Sequence, residues 1–440
     1  MSELATAPQA SSVVRLPPAV RLPKLVQGLA FAASRRTMMQ RLSSRYGDSF
    51  TLNLPLYGPA VVIGDPQVAK QVFTTSPDEL GNIQPNLSRF FGPGSVFALE
   101  FDDHRRRRRL LAPPFHGKSM KKYEGIIEEE TLREVAGWPE GEAFPTVPPM
   151  MRITLNAILR AVFGADGAEL DELRRLIPPW VTLGSRVASL PKPKRTYGRF
   201  TPWGRLAEWR RQYDAVIGRL IDAERADPGF ADRTDVLAML LRTTYDDGSA
   251  MSRKDIGDEL LALLAAGHET TAATLGWAFE RISRHPDLLA ALVEEADAGG
   301  GELRQATILE VQRARTVIDM AGRHVYPESV RLGEWVIPRG HSIIVGIGQI
   351  HANPDVFPDP ERFDPQRYLG TKPSPSWIPF GGGTRRCVGA AFANMEMDVV
   401  LRTVLRHFTI EAIDAPGERW HGRGVAFIPK DGGRIVARRR

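Results

Sequence analysis

The chain has 440 residues, 58 basic and 52 acidic side chains, a net charge of +6 at pH 7, and 42% hydrophobic residues. These values describe an ordinary soluble globular protein and exclude a collagen-like or highly charged disordered chain. Cys387 is the only cysteine, so an intrachain disulfide is excluded as well.

The N-terminal segment differs in composition from the rest of the chain. Residues 1–20 are polar and rich in Ala, Ser and Pro, without the cationic start and apolar stretch of a signal peptide. The longest early apolar stretch, residues 25–33, is too short for a bilayer, which needs about 20 residues. We therefore expect a cytoplasmic protein with no transmembrane anchor.

The length by itself suggests two or three domains. However, no Ser/Gly-rich or Pro-rich linker interrupts the chain after residue 25. We therefore predict a flexible arm over residues 1–25 and a single large domain over residues 26–440.

Two stretches carry strand signals. Residues 49–64 are mostly apolar around a Tyr-Gly-Pro turn and predict a hairpin, and residues 326–350 give similar signals around two glycine turns. Most of the remainder has helical periodicity with prolines between helices. The pattern predicts a mainly α chain with minor β sheets, an α+β fold.

A basic run begins at His104, which five arginines follow. His104 and Arg108 are four residues apart on a predicted helix and share a face. Such a run is usually a solvated surface, and nucleic-acid binding is its rival interpretation. Because no groove-reading motif accompanies the run, we expect no nucleic-acid partner.

A long helix is predicted between Ser252 and Pro286. Ser252 and Asp255 resemble a capping box, and Pro286 supplies a stop roughly 32 residues on. Residues 260–267 are apolar nearly all round, so the helix should cross the core. The polar residues 268–271 follow, and either the helix reaches the surface there or buried polar groups find partners.

Further on, Glu310 and Arg313 are three residues apart on a predicted helix. Such a pair on its own is usually an ordinary surface ion pair.

The lone cysteine lies in the sequence Phe380-Gly-Gly-Gly-Thr-Arg-Arg-Cys387-Val-Gly389. Three glycines allow close backbone approach to a flat, bulky group. A lone cysteine is often a buried small hydrophobe. A thiol beside cations at the start of a helix is instead pushed towards thiolate, the form that binds metal.

This segment resembles the haem-binding loop of the cytochrome P-450 family, whose pattern is F-x-x-G-x-R-x-C-x-G. The residues Phe380, Gly383, Arg385, Cys387 and Gly389 match it at every fixed position. The resemblance, to soluble bacterial members, covers roughly residues 40 to 435 and implies the family's fold and haem b as cofactor. It implies that Cys387 is the axial thiolate on iron, which favours O–O cleavage. Phe380 would pack beside the sulfur, and Arg385 would reach a haem propionate.

The resemblance extends to other haem-binding positions. His104 and Arg108 match the histidine and arginine that hold a propionate in soluble bacterial members, and Arg323 matches another propionate-binding arginine. The remaining arginines of the basic run would flank the cysteine side of the haem. They are either solvated or a docking patch for an acidic redox partner.

The segment from Ala266 to Thr271 matches the family's oxygen-activation motif, (A/G)-G-x-(D/E)-T-T. Gly267 weakens the helix and the Thr270 hydroxyl can bond the carbonyl of residue 266, and together they would open a groove for dioxygen. Ala266 and Gly267 would lie at the cofactor. The resemblance implies that Glu269 and Thr270 are the acid–alcohol pair that delivers protons.

The resemblance also makes Glu310, Arg313 and Arg362 the family's buried triad, Arg362 lying in Pro-Glu-Arg-Phe. A guanidinium fork matches a carboxylate bidentately, which a lysine would not. The chain departs from the family at Asp319, in a stretch that would face the substrate. Asp319 either binds a cation or hydroxyl of the substrate, or bonds a turn amide or faces solvent.

The function implied is a haem-thiolate monooxygenase that inserts one atom of O2 into a lipophilic small molecule. The chain has no flavin or dinucleotide-binding motif, so electrons would come from NAD(P)H through a reductase and a ferredoxin. A peroxide-driven enzyme and a non-catalytic haem protein that binds gas or ligand are the alternatives. The segments expected to face the substrate, residues 81–99, 180–203 and 422–428, contain Phe90, Phe91, Phe97, Trp180, Phe200, Trp203 and Phe427.

Overall fold

The computed structural model describes residues 13–440 except 56, 84–86, 116, 165–166, 188–189 and 191–192. Helices predominate, as the periodicity predicts. They are α1 (Lys24–Tyr46), α2 (Pro66–Thr74), α3 (Ser88–Phe91), α4 (Phe101–Leu111), α5 (Lys121–Val135), α6 (Val147–Phe163), α7 (Ala168–Val187), α8 (Pro202–Ala226), α9 (Val236–Arg242), α10 (Arg253–Ser283), α11 (Pro286–Ala298), α12 (Glu302–Ala314), α13 (Ile347–His351) and α14 (Ala390–His407).

The strands form small sheets beside this helical core, so the predicted mainly α fold with minor β sheets is confirmed. They are β1 (Ser49–Leu54), β2 (Gly58–Ile63), β3 (Leu80–Asn82), β4 (Ala143–Pro145), β5 (Ala321–Val325), β6 (Ser329–Leu332), β7 (Trp335–Pro338), β8 (Ser342–Val345), β9 (Phe408–Ala412), β10 (Trp420–Arg423), β11 (Ala426–Pro429) and β12 (Arg434–Arg439). The largest described sheet has the order β1-β2-β8-β5-β3. Its β1–β2 hairpin is the one predicted at residues 49–64, and β8 joins it parallel to β2.

The described part of the segment predicted as a flexible arm is packed against the sheets. Arg15 forms an antiparallel bridge with Val336, and the Val20 amide donates to the Thr51 carbonyl at 2.9 Å. Val20 is buried, and helix α1 already begins at Lys24. The arm prediction is therefore wrong for residues 13–25, because backbone pairing and an apolar contact order them. Residues 1–12 lie outside the described residues.

Helix α10 is the central element, as its apolar sequence predicts. The Ser252 hydroxyl accepts a hydrogen bond from the Asp255 amide at 3.1 Å, so the predicted cap is confirmed. The helix runs 31 residues to Ser283, and Pro286 begins α11. Its polar residues 268, 269 and 271 are buried, which rules out the alternative that the helix reaches the surface there. Among the described residues, no helix combines the length and apolarity that a bilayer crossing requires.

Candidate active site

The cysteine loop joins a short 3-10 turn, Gly383–Arg385, to helix α14. The Cys387 amide donates to the Phe380 carbonyl at 3.0 Å, which closes the loop, and the Phe380 ring lies edge-on to Trp377. Gly383 has φ +66°, and a Cβ there would lie 2.0 Å from the Phe73 carbonyl oxygen. Only glycine fits this position, which holds the loop against helix α2.

The side chain of Cys387 is exposed to a cavity of about 1480 Å³. The protein around the sulfur nevertheless excludes most solvent, and burial raises the pKa of the Cys387 thiol above its ordinary value. The Gly389 amide, Arg108 and Arg386 oppose the rise without reversing it. The cations and the loop amide therefore act in the predicted direction, towards thiolate, but desolvation outweighs them. A metal cation on the sulfur would supply the missing stabilisation of the anion.

Four side chains predicted to bind propionates, three arginines and one histidine, come together near this loop. His104 is buried on α4, and its burial lowers its pKa to about 3. The positive charges of Arg385, Arg108 and Arg323 lower the pKa of His104 as well, by smaller amounts. No described residue is hydrogen-bonded to His104 Nδ1. Burial also lowers the pKa of Arg108 and Arg385, and lowers that of Arg323 to about 10. The fold thus brings together all four residues from three separate parts of the chain.

One acid partly compensates this cluster. Arg385 Nη2 donates to Glu100 Oε2 at 2.6 Å and to the Leu99 carbonyl at 2.8 Å, while Arg323 Nη2 donates to the Gly382 carbonyl at 3.2 Å. Sequence reasoning missed Glu100, which lies four residues before His104 and belongs to no motif. A single carboxylate leaves the cluster with excess positive charge.

These observations fit a haem group. A thiol lies exposed in a cavity, and a Cβ at the nearby Gly389 would meet no protein atom within 4 Å. The cluster of His104, Arg108 and Arg323 with Arg385 has unused donors and excess charge, which suits carboxylate groups such as propionates. The described residues thus supply both a soft metal ligand and anion-binding groups for the porphyrin edge.

Helix α10 faces the same cavity through Ala265, Ala266, Glu269 and Thr270. The Thr270 hydroxyl donates to the Ala266 carbonyl at 2.8 Å, as predicted. Gly267 is not among the residues that line this cavity, since a Cβ there would lie 3.2 Å from Ile158 of helix α6. Gly267 therefore permits close packing of α10 on α6, which corrects the prediction that it opens the groove.

Glu269 has a partner that sequence reasoning missed. Its side chain is 6% exposed, and its Oε1 lies 3.0 Å from Nε of Arg423 in strand β10. Burial raises the pKa of Glu269, and Arg423 and then Arg186 counteract the rise. Arg423 carries no signal in the sequence, because nothing local relates a β10 residue to helix α10.

Glu310 and Arg313 form a buried bidentate pair, as predicted, with N–O distances of 2.7 and 2.8 Å. The pair supports the cysteine loop through His351. Arg313 Nη1 donates to the His351 carbonyl at 3.0 Å, and His351 Nε2 accepts from the Ile378 amide at 3.0 Å. Burial lowers the pKa of His351 to about 3, so its ring is neutral at pH 7.

The prediction that Arg362 is the third member of this triad is wrong. Its side chain is 68% exposed, and the nearest acid is Asp364 at 3.9 Å. Arg367 lies at the pair instead, 15% exposed, with its Nε 3.6 Å from Glu310 Oε1. Residues 365–368, Pro-Gln-Arg-Tyr, repeat the Pro-x-Arg-aromatic spacing of residues 360–363, so the signal was present twice. The fold selects the second copy, because only the carbonyl of Arg362 faces Arg313.

The arginine run of α4 finds acidic partners within the chain. Arg105 pairs with Asp78 and Asp102. Three further pairs are Arg106 with Asp247, Arg107 with Glu259, and Arg109 with Asp246. The local charge is largely neutralised, which gives little support to a docking patch made of this run.

The apolar set predicted to face the substrate is partly right. Phe90, Phe91, Phe97 and Phe427 line the cavity. Trp180 is instead buried beside Tyr213, Trp203 packs against the core, and Phe200 is 83% exposed.

Asp319 has a partner from its own chain. Its carboxylate is 6% exposed and lies 2.9 Å from Nη2 of Arg35. The interpretation of Asp319 as a solvent-facing or turn residue is therefore wrong, and Arg35 already supplies the cation that it binds.

Comparison with known proteins gives a consistent result. The family profile described as Cytochrome P450 matches residues 16–432. The protein named "Putative cytochrome P450 138" in Mycobacterium tuberculosis is 78% identical over the whole of both chains. "Putative cytochrome P450 135B1" of the same organism is 39% identical over 97% of this chain and 92% of that protein. The solved structure of retinoic acid-bound cyanobacterial CYP120A1 superposes with a TM-score of 0.84 at 21% identity, covering 97% of this chain and 100% of that one.

Proposed function

The chain belongs to the cytochrome P450 family, and from that premise we propose that Cys387 is the axial thiolate of its haem iron. The protein is an oxidoreductase, a haem-thiolate monooxygenase with haem b as cofactor, which uses O2 and a redox partner. The observation that carries the assignment of Cys387 is its exposed sulfur in a cavity that helix α10 also lines. When bound, the haem supplies the iron at which dioxygen is reduced and cleaved.

We propose that His104, Arg108, Arg323 and Arg385 hold the haem propionates. Their clustered charge, with Glu100 as the acid bonded to Arg385, supports this assignment. The carbonyl of Phe380 and the amide of Gly389 position the sulfur in the loop.

Thr270 and Glu269 are proposed to pass protons into the cavity. The Thr270 hydroxyl is positioned by the Ala266 carbonyl, and its oxygen remains able to accept a hydrogen bond from a donor in the cavity. Glu269 is buried behind it and joined to Arg423, so it can exchange a proton only through a local rearrangement. The triad role is proposed for Glu310, Arg313 and Arg367, which brace the cysteine loop through His351.

The substrate proposed is a lipophilic small molecule, since five phenylalanines line the cavity. The electron donor proposed is a ferredoxin served by an NAD(P)H-dependent reductase, and the location proposed is the cytoplasm. A single catalytic domain remains our proposal, and the packing of residues 13–25 against the sheets supports including them in it as well. No nucleic acid is proposed as a partner.

Peroxide-driven and non-catalytic haem proteins are the rival proposals. The buried Glu269–Arg423 pair and the positioned Thr270 hydroxyl favour the dioxygen route, because a proton relay has no role in a ligand-binding protein.

The first experiment records the absorption of the haem-loaded protein after reduction and addition of carbon monoxide. A strongly red-shifted Soret band is expected for Cys387 ligation, and its loss is expected in Cys387→Ser. A well-folded, haem-loaded protein without this band contradicts the assignment. Turnover with ferredoxin, reductase and NAD(P)H, compared with hydrogen peroxide alone, separates the monooxygenase from both rivals.

A further inference from the structure

A second group of cations lines the cavity and is separate from the haem-binding cluster. Arg36 of α1 stacks over the Trp420 ring with its guanidinium carbon 3.8 Å from the ring centroid. Arg315, just after α12, lies over Trp420 at 5.6 Å and over Trp277 at 5.4 Å. We call Arg36 and Arg315 the Trp420 arginines. Both line the cavity that also contains Cys387 and Thr270.

The Trp420 arginines are short of partners. No salt bridge joins Arg36 to another described residue, and no side-chain hydrogen bond of Arg36 is found within the described ranges. Among the described residues, Arg315 Nη1 donates only to the neighbouring Ala314 carbonyl at 2.9 Å, and its buried Nε has no hydrogen-bond partner. Guanidinium groups removed from water without a carboxylate are costly, and several donors here remain available to a ligand.

The carboxylates near the Trp420 arginines do not neutralise the two guanidinium groups. Asp319 is already bound by Arg35 at 2.9 Å. Glu361 lines the cavity and makes no ion pair within 4 Å of a described cation. Burial lowers the pKa of Arg36 despite both acids, and it lowers the pKa of Arg315 to about 10.

Other cavity arginines differ from this pair in one of two ways. Arg313 and Arg35 are paired with Glu310 and Asp319. Arg186 and Arg419 are exposed, and water solvates their charge. The partly buried cationic charge of the cavity wall that lacks a paired carboxylate among the described residues is thus concentrated around Trp420.

The position of the pair suits one end of an elongated ligand. Trp277, which Arg315 covers, is two helical turns beyond Thr270 on α10, so roughly 10 Å separates them along the helix axis. Phe427 and Ile318 line the same cavity. A molecule with an apolar body and an anionic end would meet apolar side chains and the Trp420 arginines within one continuous space.

We propose that Arg36 and Arg315 bind the carboxylate of the substrate, which is therefore a lipophilic monocarboxylic acid. A carboxylate can accept charge-assisted hydrogen bonds from both guanidinium groups, and their planar stacking on Trp420 keeps the donors oriented. That the bound acid is then oxidised rests on the proposed function. The binding itself does not.

The test titrates the haem-loaded enzyme with saturated acids from decanoic to hexadecanoic acid, and with the primary alcohols of equal length, by calorimetry. We expect the best acid to bind the unmodified enzyme about tenfold more tightly than its alcohol. Arg36→Gln and Arg315→Gln should each remove most of that preference and leave the alcohol affinity unchanged. Arg419→Gln, which changes an exposed arginine of the same cavity, is the matched control and should keep the preference.

Equal affinities of acid and alcohol for the unmodified enzyme, at every chain length, would overturn the proposal without needing a variant. So would an acid preference that survives in both Arg36→Gln and Arg315→Gln. If Arg315→Gln loses haem, Arg36→Gln and Arg36→Lys decide, since the lysine variant should keep part of the preference. Calorimetry uses neither electrons nor dioxygen, so a protein that lacks the thiolate Soret band but prefers acids refutes the proposed function alone.

Discussion

Arg423 Nε lies 3.0 Å from Glu269 Oε1, and Arg423 Nη2 donates to the Thr182 hydroxyl at 2.8 Å. One guanidinium therefore contacts strand β10, helix α10 and helix α7, three elements that line the cavity. Arg423 therefore links helix α7 to the Glu269 carboxylate of helix α10.

Arg423→Gln should shift the pH dependence of turnover. Burial already raises the pKa of Glu269, and Arg423 holds that rise in check. Removing the cation raises the pKa further, so Glu269 becomes protonated at a higher pH and can no longer accept a proton from solvent. We expect the acid-side loss of kcat to begin at higher pH in Arg423→Gln. Arg423→Lys keeps the charge and should resemble the unmodified enzyme. Superimposable kcat profiles for Arg423→Gln and the unmodified enzyme would contradict this role.

Thr270→Ala should uncouple electron use from product formation. The variant removes the cavity hydroxyl and the bond to the Ala266 carbonyl. Product formed per electron consumed should fall by about a hundredfold, the lower end of the range for loss of a proton-transfer group. Thr274→Ala is the matched control, because Thr274 makes the same kind of bond, to the Thr270 carbonyl at 2.9 Å, one turn further along. An unchanged product yield in Thr270→Ala would refute the relay.

Arg367→Ala and Arg362→Ala distinguish the two copies of the Pro-x-Arg-aromatic spacing. Loss of Arg367 leaves Glu310 buried with less positive charge and should cost about 2 kcal/mol in the free energy of unfolding. The Arg362 side chain is 68% exposed, so Arg362→Ala should change that free energy by no more than ~0.5 kcal/mol. Urea unfolding and haem content measure both effects. If Arg367→Ala and Arg362→Ala changed stability and haem content by the same amount, the choice of Arg367 over Arg362 as the partner of the Glu310–Arg313 pair would be contradicted.

Gly383→Ala and Gly389→Ala should separate folding of the cysteine loop from haem binding. A Cβ at position 383, where φ is +66°, would lie 2.0 Å from the Phe73 carbonyl oxygen, so the loop cannot form as it stands. At position 389 a Cβ meets no protein atom within 4 Å. Thermal unfolding without haem should therefore be perturbed only in Gly383→Ala, by about 3 kcal/mol. Haem titration should show weaker binding in Gly389→Ala, and haem affinity equal to that of the unmodified protein would remove Gly389 from the haem site.

Where partners are close in the sequence, prediction from the residues succeeded. The cap at Ser252, the Thr270 bond to residue 266 and the Glu310–Arg313 pair all depend on separations of three or four residues along a helix. The helical repeat sets those distances before any tertiary contact forms. The cysteine loop belongs with them, since its glycine and its closing hydrogen bond lie within ten residues.

Where partners are distant, the residues alone gave no basis for choice. Arg362 and Arg367 have equivalent local patterns, and only packing of the chain against α12 brings Arg367 to Glu310. The shift in the Cys387 pKa also depended on the fold, since the cations beside it were visible and the desolvation was not.

The sequence by itself therefore determined the central helix and the mainly helical class, because hydrogen bonds between near neighbours and the spacing of apolar side chains set them. It indicated the cysteine loop as a haem-binding loop through its resemblance to the family pattern. Only the tertiary structure decided that Arg423 meets Glu269, that Arg35 meets Asp319, and that Arg36 and Arg315 remain without a carboxylate. Those outcomes depend on which surfaces pack together and how much water they exclude, and no local pattern encodes either.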